Sequence, residues 1–339
     1  MRKLKKIFIW FVIPILIQMG ILYYINDYFL SSTDTIQMKK VADEDISLKK
    51  KIQLNLPFDA KDIKASYDGG FISYILNNEL IIVDTNTSRI KKTININGET
   101  IDYYTWLTDR NRLLYYCKAN YHGKEAIQIK AYDLDTNNDI KVDKLIYVPK
   151  GSCINNVTLS PLTNMIYINI VDKQGDSMLY RVDIMGKIVE LRLPVKRIVR
   201  MYEMQRNDNL VYESSNNVIR VIKNGSGYTL VSGGYYLIGI DGNDYVYLGK
   251  LKNNKITEIY YGSLEEKMKN WRHLTVKEPV DCHNTIIMLR SGNIYNIIGN
   301  KDLKDVKTDK ILNGYGKIIG INKNYIIYKE NNKVILRLE

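Results

Sequence analysis

Residues 62–84 read Asp-Ile-Lys-Ala-Ser-Tyr-Asp-Gly-Gly-Phe-Ile-Ser-Tyr-Ile-Leu-Asn-Asn-Glu-Leu-Ile-Ile-Val-Asp. A tight turn at Asp68-Gly69-Gly70 and a polar turn at Asn77-Asn78 separate three short runs rich in β-branched and aromatic residues. Turn chemistry alternating with such runs predicts a β-meander.

Working outward, the same unit recurs. An apolar second strand, usually ending in tyrosine, appears at Ile72-Ser73-Tyr74, Leu113-Leu114-Tyr115, Met165-Ile166-Tyr167, Leu210-Val211-Tyr212, Tyr245-Val246-Tyr247, Ile286-Ile287-Met288 and Ile326-Ile327-Tyr328. Their third residues lie 41, 52, 45, 35, 41 and 40 positions apart. That spacing matches the ~40–45 residues of a four-stranded propeller blade. The fold class expected is therefore all-β: a β-propeller of seven four-stranded blades, preceded by one transmembrane helix. A β-sandwich would not need seven matched units. The last blade shows only three clear strands, and the alternating run Ile52-Gln53-Leu54-Asn55-Leu56 belongs to no blade. It is expected to pair with the last blade and close the ring, hiding an exposed edge.

Before the repeats, Arg2, Lys3, Lys5 and Lys6 precede an apolar run from Ile7 to Ile25. As a helix this run would be roughly 28 Å long, close to the ~30 Å hydrocarbon core. Trp10 and Tyr23-Tyr24 lie toward its ends, where such rings favour the interface. A cleaved signal peptide would need a shorter apolar region and small residues at a cleavage site. No alanine occurs before Ala42 and no cysteine before Cys117, so a retained signal-anchor is expected. The basic cluster places the N-terminus in the cytoplasm and the rest outside. The expected organisation is a basic tail at 1–6, a transmembrane helix at 7–25, a charged stalk at 26–50 and an extracytoplasmic propeller at 51–339.

Net charge is +12, of which residues 1–30, with four basic side chains and Asp27, hold +3. The remaining +9 suits anionic wall polymers or lipid headgroups, or simply keeps the surface hydrated. No nucleic-acid signature accompanies it. Cys117, Cys153 and Cys282 form no CxxC pair and are expected as small apolar residues within strands; a Cys117–Cys153 bridge is an alternative.

His122, His273 and His283 show no metal-ligand spacing, and no nucleophile elbow or phosphate-binding glycine loop occurs. No catalytic residue, cofactor or metal is expected. Asp68, Asp84, Asp133 and Asp183 fall at turns and strand ends, where a short acceptor satisfies backbone donors. Ser66-x-Asp68-x-Gly70 is a partial aspartate box, without the aromatic that completes one. The candidate binding residues lie in connections expected on one propeller face: Tyr121-His122, Tyr235-Tyr236 after Gly233-Gly234, and Trp271-Arg272-His273 within the insertion 263–279. Aromatic and arginine side chains suit binding hot spots, although Trp271 could equally pack over a blade. A short helix is expected at 264–271.

The segments 66–74, 106–115 and 179–183 resemble blades of TolB-like and dipeptidyl-peptidase-IV-type propellers. The whole chain is similar to membrane-anchored, propeller-only proteins of low-GC Gram-positive bacteria such as clostridia. In such peptidases the catalytic Ser-Asp-His group belongs to an α/β-hydrolase domain after the propeller. This sequence ends at Glu339 within its last blade, so no active-site residue carries over. The expected function is a binding or scaffolding module for a cell-envelope protein or polymer. The alternative is a hydrolase, lyase or cyclase with its site in the propeller funnel.

Overall fold

The computed structural model describes residues 52–338, apart from 97, 161, 184, 224, 283–285 and 322–324, together with Gln18, Met19 and Leu22. Residues 1–49 and 50–339 are separate units. Of the first, only those three residues, all helical, are described; the basic tail, most of the apolar run and the stalk lie outside the described residues. Among the described residues no helix is long and apolar enough to cross a membrane.

The second unit is a seven-bladed propeller of seven four-stranded antiparallel sheets. The first blade is Lys61–Ala65, Phe71–Leu76, Glu79–Asp84 and Ile90–Ile94, as its turn chemistry predicts. Asn77 and Asn78 both adopt left-handed backbone, φ 51° and 63°, which a two-residue hairpin of right-handed twist requires. First strands of neighbouring blades lie against one another around the axis, so each sheet runs outward from first strand to fourth.

Ile52–Asn55 closes the ring as expected. It pairs antiparallel with Lys333–Leu338, Ile52 opposite Leu336 and Asn55 opposite Lys333, and becomes the outermost strand of the seventh blade.

Seven apolar clusters hold the blades together, one at each blade–blade interface. The second-strand tyrosines are part of them: Tyr74, Tyr115, Tyr167, Tyr212, Tyr247 and Tyr328 are all buried. Their recurrence reflects an interface that takes a large ring, and two of the hydroxyls reach a carboxylate. Tyr167 donates to Asp208 of the next blade at 2.7 Å, and Tyr247 to Asp241 at 3.1 Å.

The sixth blade departs from the sequence reading. Ile286–Met288 is its first strand rather than its second. The second is Ile294–Ile298, and its buried Tyr295 is the true counterpart of the other tyrosines. The cysteines also differ in part: none forms a disulfide, Cys117 and Cys282 are buried, but Cys153 is exposed.

Candidate functional site

Antiparallel strands joined in order place alternate turns on opposite faces. One face collects the second-to-third turns and the blade-to-blade connections; the other collects the remaining turns. Tyr121 and His122 occupy the turn between Arg112–Tyr121 and Lys124–Asp133, on the first face. Tyr121 donates to Glu99 at 2.7 Å, and Glu99 also pairs with Lys130. Burial and this carboxylate push the Tyr121 phenol up to about 12. Tyr235 and Tyr236 begin the innermost strand of blade five, on the same face. The Arg200 guanidinium lies 3.7 Å over the Tyr236 ring.

The insertion does not join them. It connects the third strand of blade five, Lys255–Gly262, to the fourth, Arg272–Asp281, and so lies on the opposite face. The misreading follows from the sixth blade, whose shifted register made this turn look like a blade-to-blade connection. The expected helix is a single 3-10 turn, Met268–Asn270. Trp271 is not a ligand surface: it is 5% exposed, packs at the interface of blades four and five, and donates from Nε1 to the Ser263 carbonyl at 3.0 Å. Arg272 and His273 start the outermost strand, where His273 stacks on Tyr260 at 5.5 Å. Tyr235 packs edge-on against the same ring at 6.0 Å. Tyr235 and His273 therefore meet through Tyr260, and Trp271 lies in the core of the cluster that Tyr235 and Tyr260 pack against. His283 lies outside the described residues.

The turn aspartates are structural, as their positions suggest. Asp84, Asp133 and Asp183 each accept two backbone N–H groups from the turn that follows. Asp68 takes Gly70 N, the Ser66 hydroxyl and Asn111 of the next blade. The Asp68 carbonyl accepts from Tyr325 of blade seven at 2.6 Å. These bonds clamp three blades and hold the Asp68 carboxyl below its ordinary range against the opposing effect of burial.

The sequence named the funnel as an alternative site but singled out no residue of it. Among the described residues, six of the seven innermost strands carry a register shift in their pairing with the second strand. Such bulges kink a strand and re-aim its side chains. In blade one the shift spans Lys61 to Lys64, and Asp62 sits at φ 47°. The kink brings Lys64 Nζ to 3.1 Å from its own neighbour Asp62 and 2.6 Å from the Tyr104 carbonyl. The ammonium also lies 4.4 Å from the ring centres of both Tyr103 and Tyr104. Tyr104, fully buried, sets its hydroxyl against the Asp62 and Ser73 carbonyls and so braces the bulge.

Lys64 and Asp62 line a cavity of about 380 Å³ with Tyr103, Thr105, Ile319 and Lys329, from blades seven, one and two. Burial pulls the Lys64 ammonium below its usual value, and Asp62 opposes the shift. The carbonyl, the carboxylate and the two ring faces hold the ammonium at the cavity wall. Sequence reasoning passed over Lys64 because Lys-Asp-Ile-Lys-Ala reads as an ordinary alternating strand.

A second cavity, of about 210 Å³, shares Thr105 and Trp106 with the first and extends to blades three, four and five. Its wall holds Glu203, 3% exposed. Thr163 donates to Glu203 Oε1 at 3.2 Å, while Oε2 meets no hydrogen-bond partner among the described residues. Burial pushes this carboxyl up to about 9; the Thr163 bond and Arg181 oppose the rise and Asp208 adds to it. The folded state thus holds a proton that the unfolded chain releases near 4.5. Stability from this group is full below the unfolded value and is lost as pH rises toward the folded one, by about 1.4 kcal/mol per unit. Urea unfolding between about pH 5.5 and 7.5 is expected to show a loss of about 2–3 kcal/mol that Glu203→Gln removes. The same slope in both proteins would contradict the assignment.

Among the described residues, no group of three or more His, Cys, Asp or Glu side chains could hold a metal ion. The class that the fold defines is a seven-bladed propeller, with two cavities lined by its innermost strands. No protein-family model matches the chain, and no curated protein does.

Proposed function

We propose that the protein is a binding propeller, tethered by residues 7–25 and displayed outside a cell membrane, that takes an anionic group of an envelope protein or wall polymer against Lys64 on its axis. The observation that carries this reading is the Lys64 geometry: a half-buried ammonium, fixed by a carbonyl, a carboxylate and two rings, lines a cavity between the innermost strands. An anion there would offset the cost of desolvating the charge, and a pre-positioned donor loses little entropy on binding. The +9 beyond residue 30 would draw anionic partners toward the ring. The tether would raise the effective concentration of any partner in the same layer. The likeness of residues 66–74, 106–115 and 179–183 to TolB-like and peptidase-type propeller blades supports the same reading.

The test is crosslinking in intact cells followed by identification of what is attached. Lys64→Met is expected to lower partner recovery about ten-fold or more, the worth of one charge-assisted hydrogen bond, at nearly unchanged melting temperature. Undiminished recovery would rule out Lys64 as the contact. A second reading, an enzyme with its site in the funnel, draws on the lowered Lys64 ammonium, a state that suits an amine base or nucleophile. Turnover of ester, peptide or glycan substrates that Lys64→Met abolishes would favour it.

A further inference from the structure

The turns that join first to second strands ring the axis on one face, and those of blades four, five and six are stitched together. Asp244, on the turn of blade five, is buried and accepts Gln205 N at 2.6 Å and Arg206 N at 2.9 Å, both from the turn of blade four. On the other flank, Gly242 N donates to the Arg290 carbonyl of blade six at 2.8 Å. These bonds fix the backbone of two arginines on either side of one turn. Their side chains lean on the same turn. Arg206 Nη2 lies 3.5 Å from Asn243 Oδ1. A Cβ at Gly242 would stand 3.0 Å from Arg290 Nε, so the missing side chain is what admits the guanidinium stem.

Arginines elsewhere on this face have their own carboxylates: Arg110, in the matching turn of blade two, holds Asp109 at 2.6 Å, and Arg181 holds Asp208. Among the described residues, no carboxylate comes within ion-pair distance of Arg206 or Arg290. Arg290 is half-buried, and burial pulls its guanidinium below the usual value; Arg206 adds to that effect, whereas Asp244 and Asp109 oppose it. Two like charges therefore stand in each other's field, and the Asp244 carboxylate beside them is occupied by backbone donors. Asp109 belongs to blade two, across the ring from blade six, so its influence on Arg290 marks the place as the axial opening.

We propose that this opening binds a phosphate group, bridged between the Arg206 and Arg290 guanidiniums. A planar carboxylate presents both oxygens to one guanidinium fork, whereas a tetrahedral phosphate presents oxygens to two forks that arrive from different blades. The bound anion removes the opposition between the two arginines and offsets the desolvation of Arg290. The stitched turns hold both residues in place beforehand, so little ordering accompanies binding. The site shares no residue with the cavity at Lys64 and stands independently of it.

The experiment is titration calorimetry of the full-length protein in detergent at low salt. The probes are inorganic phosphate and the phosphodiester glycerophosphoglycerol, with acetate as a planar anion and glycerol as an uncharged control. At least one of the two phosphates is expected to bind, and acetate about ten-fold or more weakly. Tighter binding of the diester would assign a chained or lipid-borne phosphate, tighter binding of inorganic phosphate a free one; both support the site. Arg206→Met and Arg290→Met are each expected to weaken phosphate binding by at least about ten-fold, the worth of a charge-assisted bond. Arg290→Lys, which keeps the charge but loses the fork, should recover only part of it. Lys64→Met should leave it unchanged, which separates this site from the one at Lys64. Absence of binding by both phosphates, equal binding of acetate, or undiminished binding by either methionine variant would overturn the proposal. If Arg290→Met fails to fold, Arg206→Met, at an exposed position, decides the matter.

Discussion

Deleting residues 1–57 is expected to lower the melting temperature by roughly 10 °C or more, whereas deleting residues 1–50 leaves it nearly unchanged. The difference between the two is one strand. Ile52–Asn55 supplies the outer edge of blade seven, and Leu56 N extends the pairing to the Asn332 carbonyl at 2.8 Å. Leu54 and Leu56 are buried in the cluster between blades seven and one. Two fully buried leucines contribute about 1.5–3 kcal/mol each, a large share of a native stability of ~5–15 kcal/mol. Their loss also leaves Lys333–Leu338 as an uncovered edge open to pairing between molecules. The shorter protein is therefore expected to self-associate as well as melt early. Equal melting curves for the two deletions would show that the ring holds without its closing strand.

Truncating Trp271 is expected to destabilise the propeller by about 3–5 kcal/mol, the range for a buried aromatic, while Arg272→Ala stays within about 0.5 kcal/mol. The tryptophan lies directly over Gly262. A Cβ at that glycine would stand 2.4 Å from Trp271 Cδ1 and 2.5 Å from Cγ, closer than any contact allows. The ring is part of the cluster between blades four and five. Gly262→Ala alone is thus expected to cost about 1–3 kcal/mol by overpacking. In the Trp271→Ala background the clash disappears, and the glycine substitution should cost almost nothing more. Additive losses in the double variant, measured by urea unfolding, would contradict the packing described.

Features written in local chemistry were legible in the sequence. Asp68-Gly69-Gly70 and Asn77-Asn78 announce their turns because few residues tolerate those backbone conformations. The tyrosines mark second strands because each blade interface has the same need for a large ring. The closing strand could be found because Ile52-Gln53-Leu54-Asn55-Leu56 alternates and had no other partner. Blade six was misread because its outer strands, Asp302–Asp305 and Ile311–Leu312, are too short to show a period. The apolar triplet Ile286–Met288 then stood in for the second strand. Neither axial cavity had a local signature. The bulge at Asp62 depends on Tyr104 of the next blade, and the burial of Glu203 depends on strands from four blades. Residues 263–279 were expected on the other face because an insertion in sequence does not reveal on which side of a sheet it emerges.

The closing strand also orders events in time. Its pairing joins the beginning of the domain to its end, so during synthesis or export the earliest strand made waits for the last one. The blades between can each form by local hairpins as they appear, a fast process of small sequence separation. The final step is instead a single long-range search, whose entropic cost grows only slowly with the length of chain between. Until that step finishes, the two unpaired edges of the incomplete ring are the most aggregation-prone surfaces the chain ever shows.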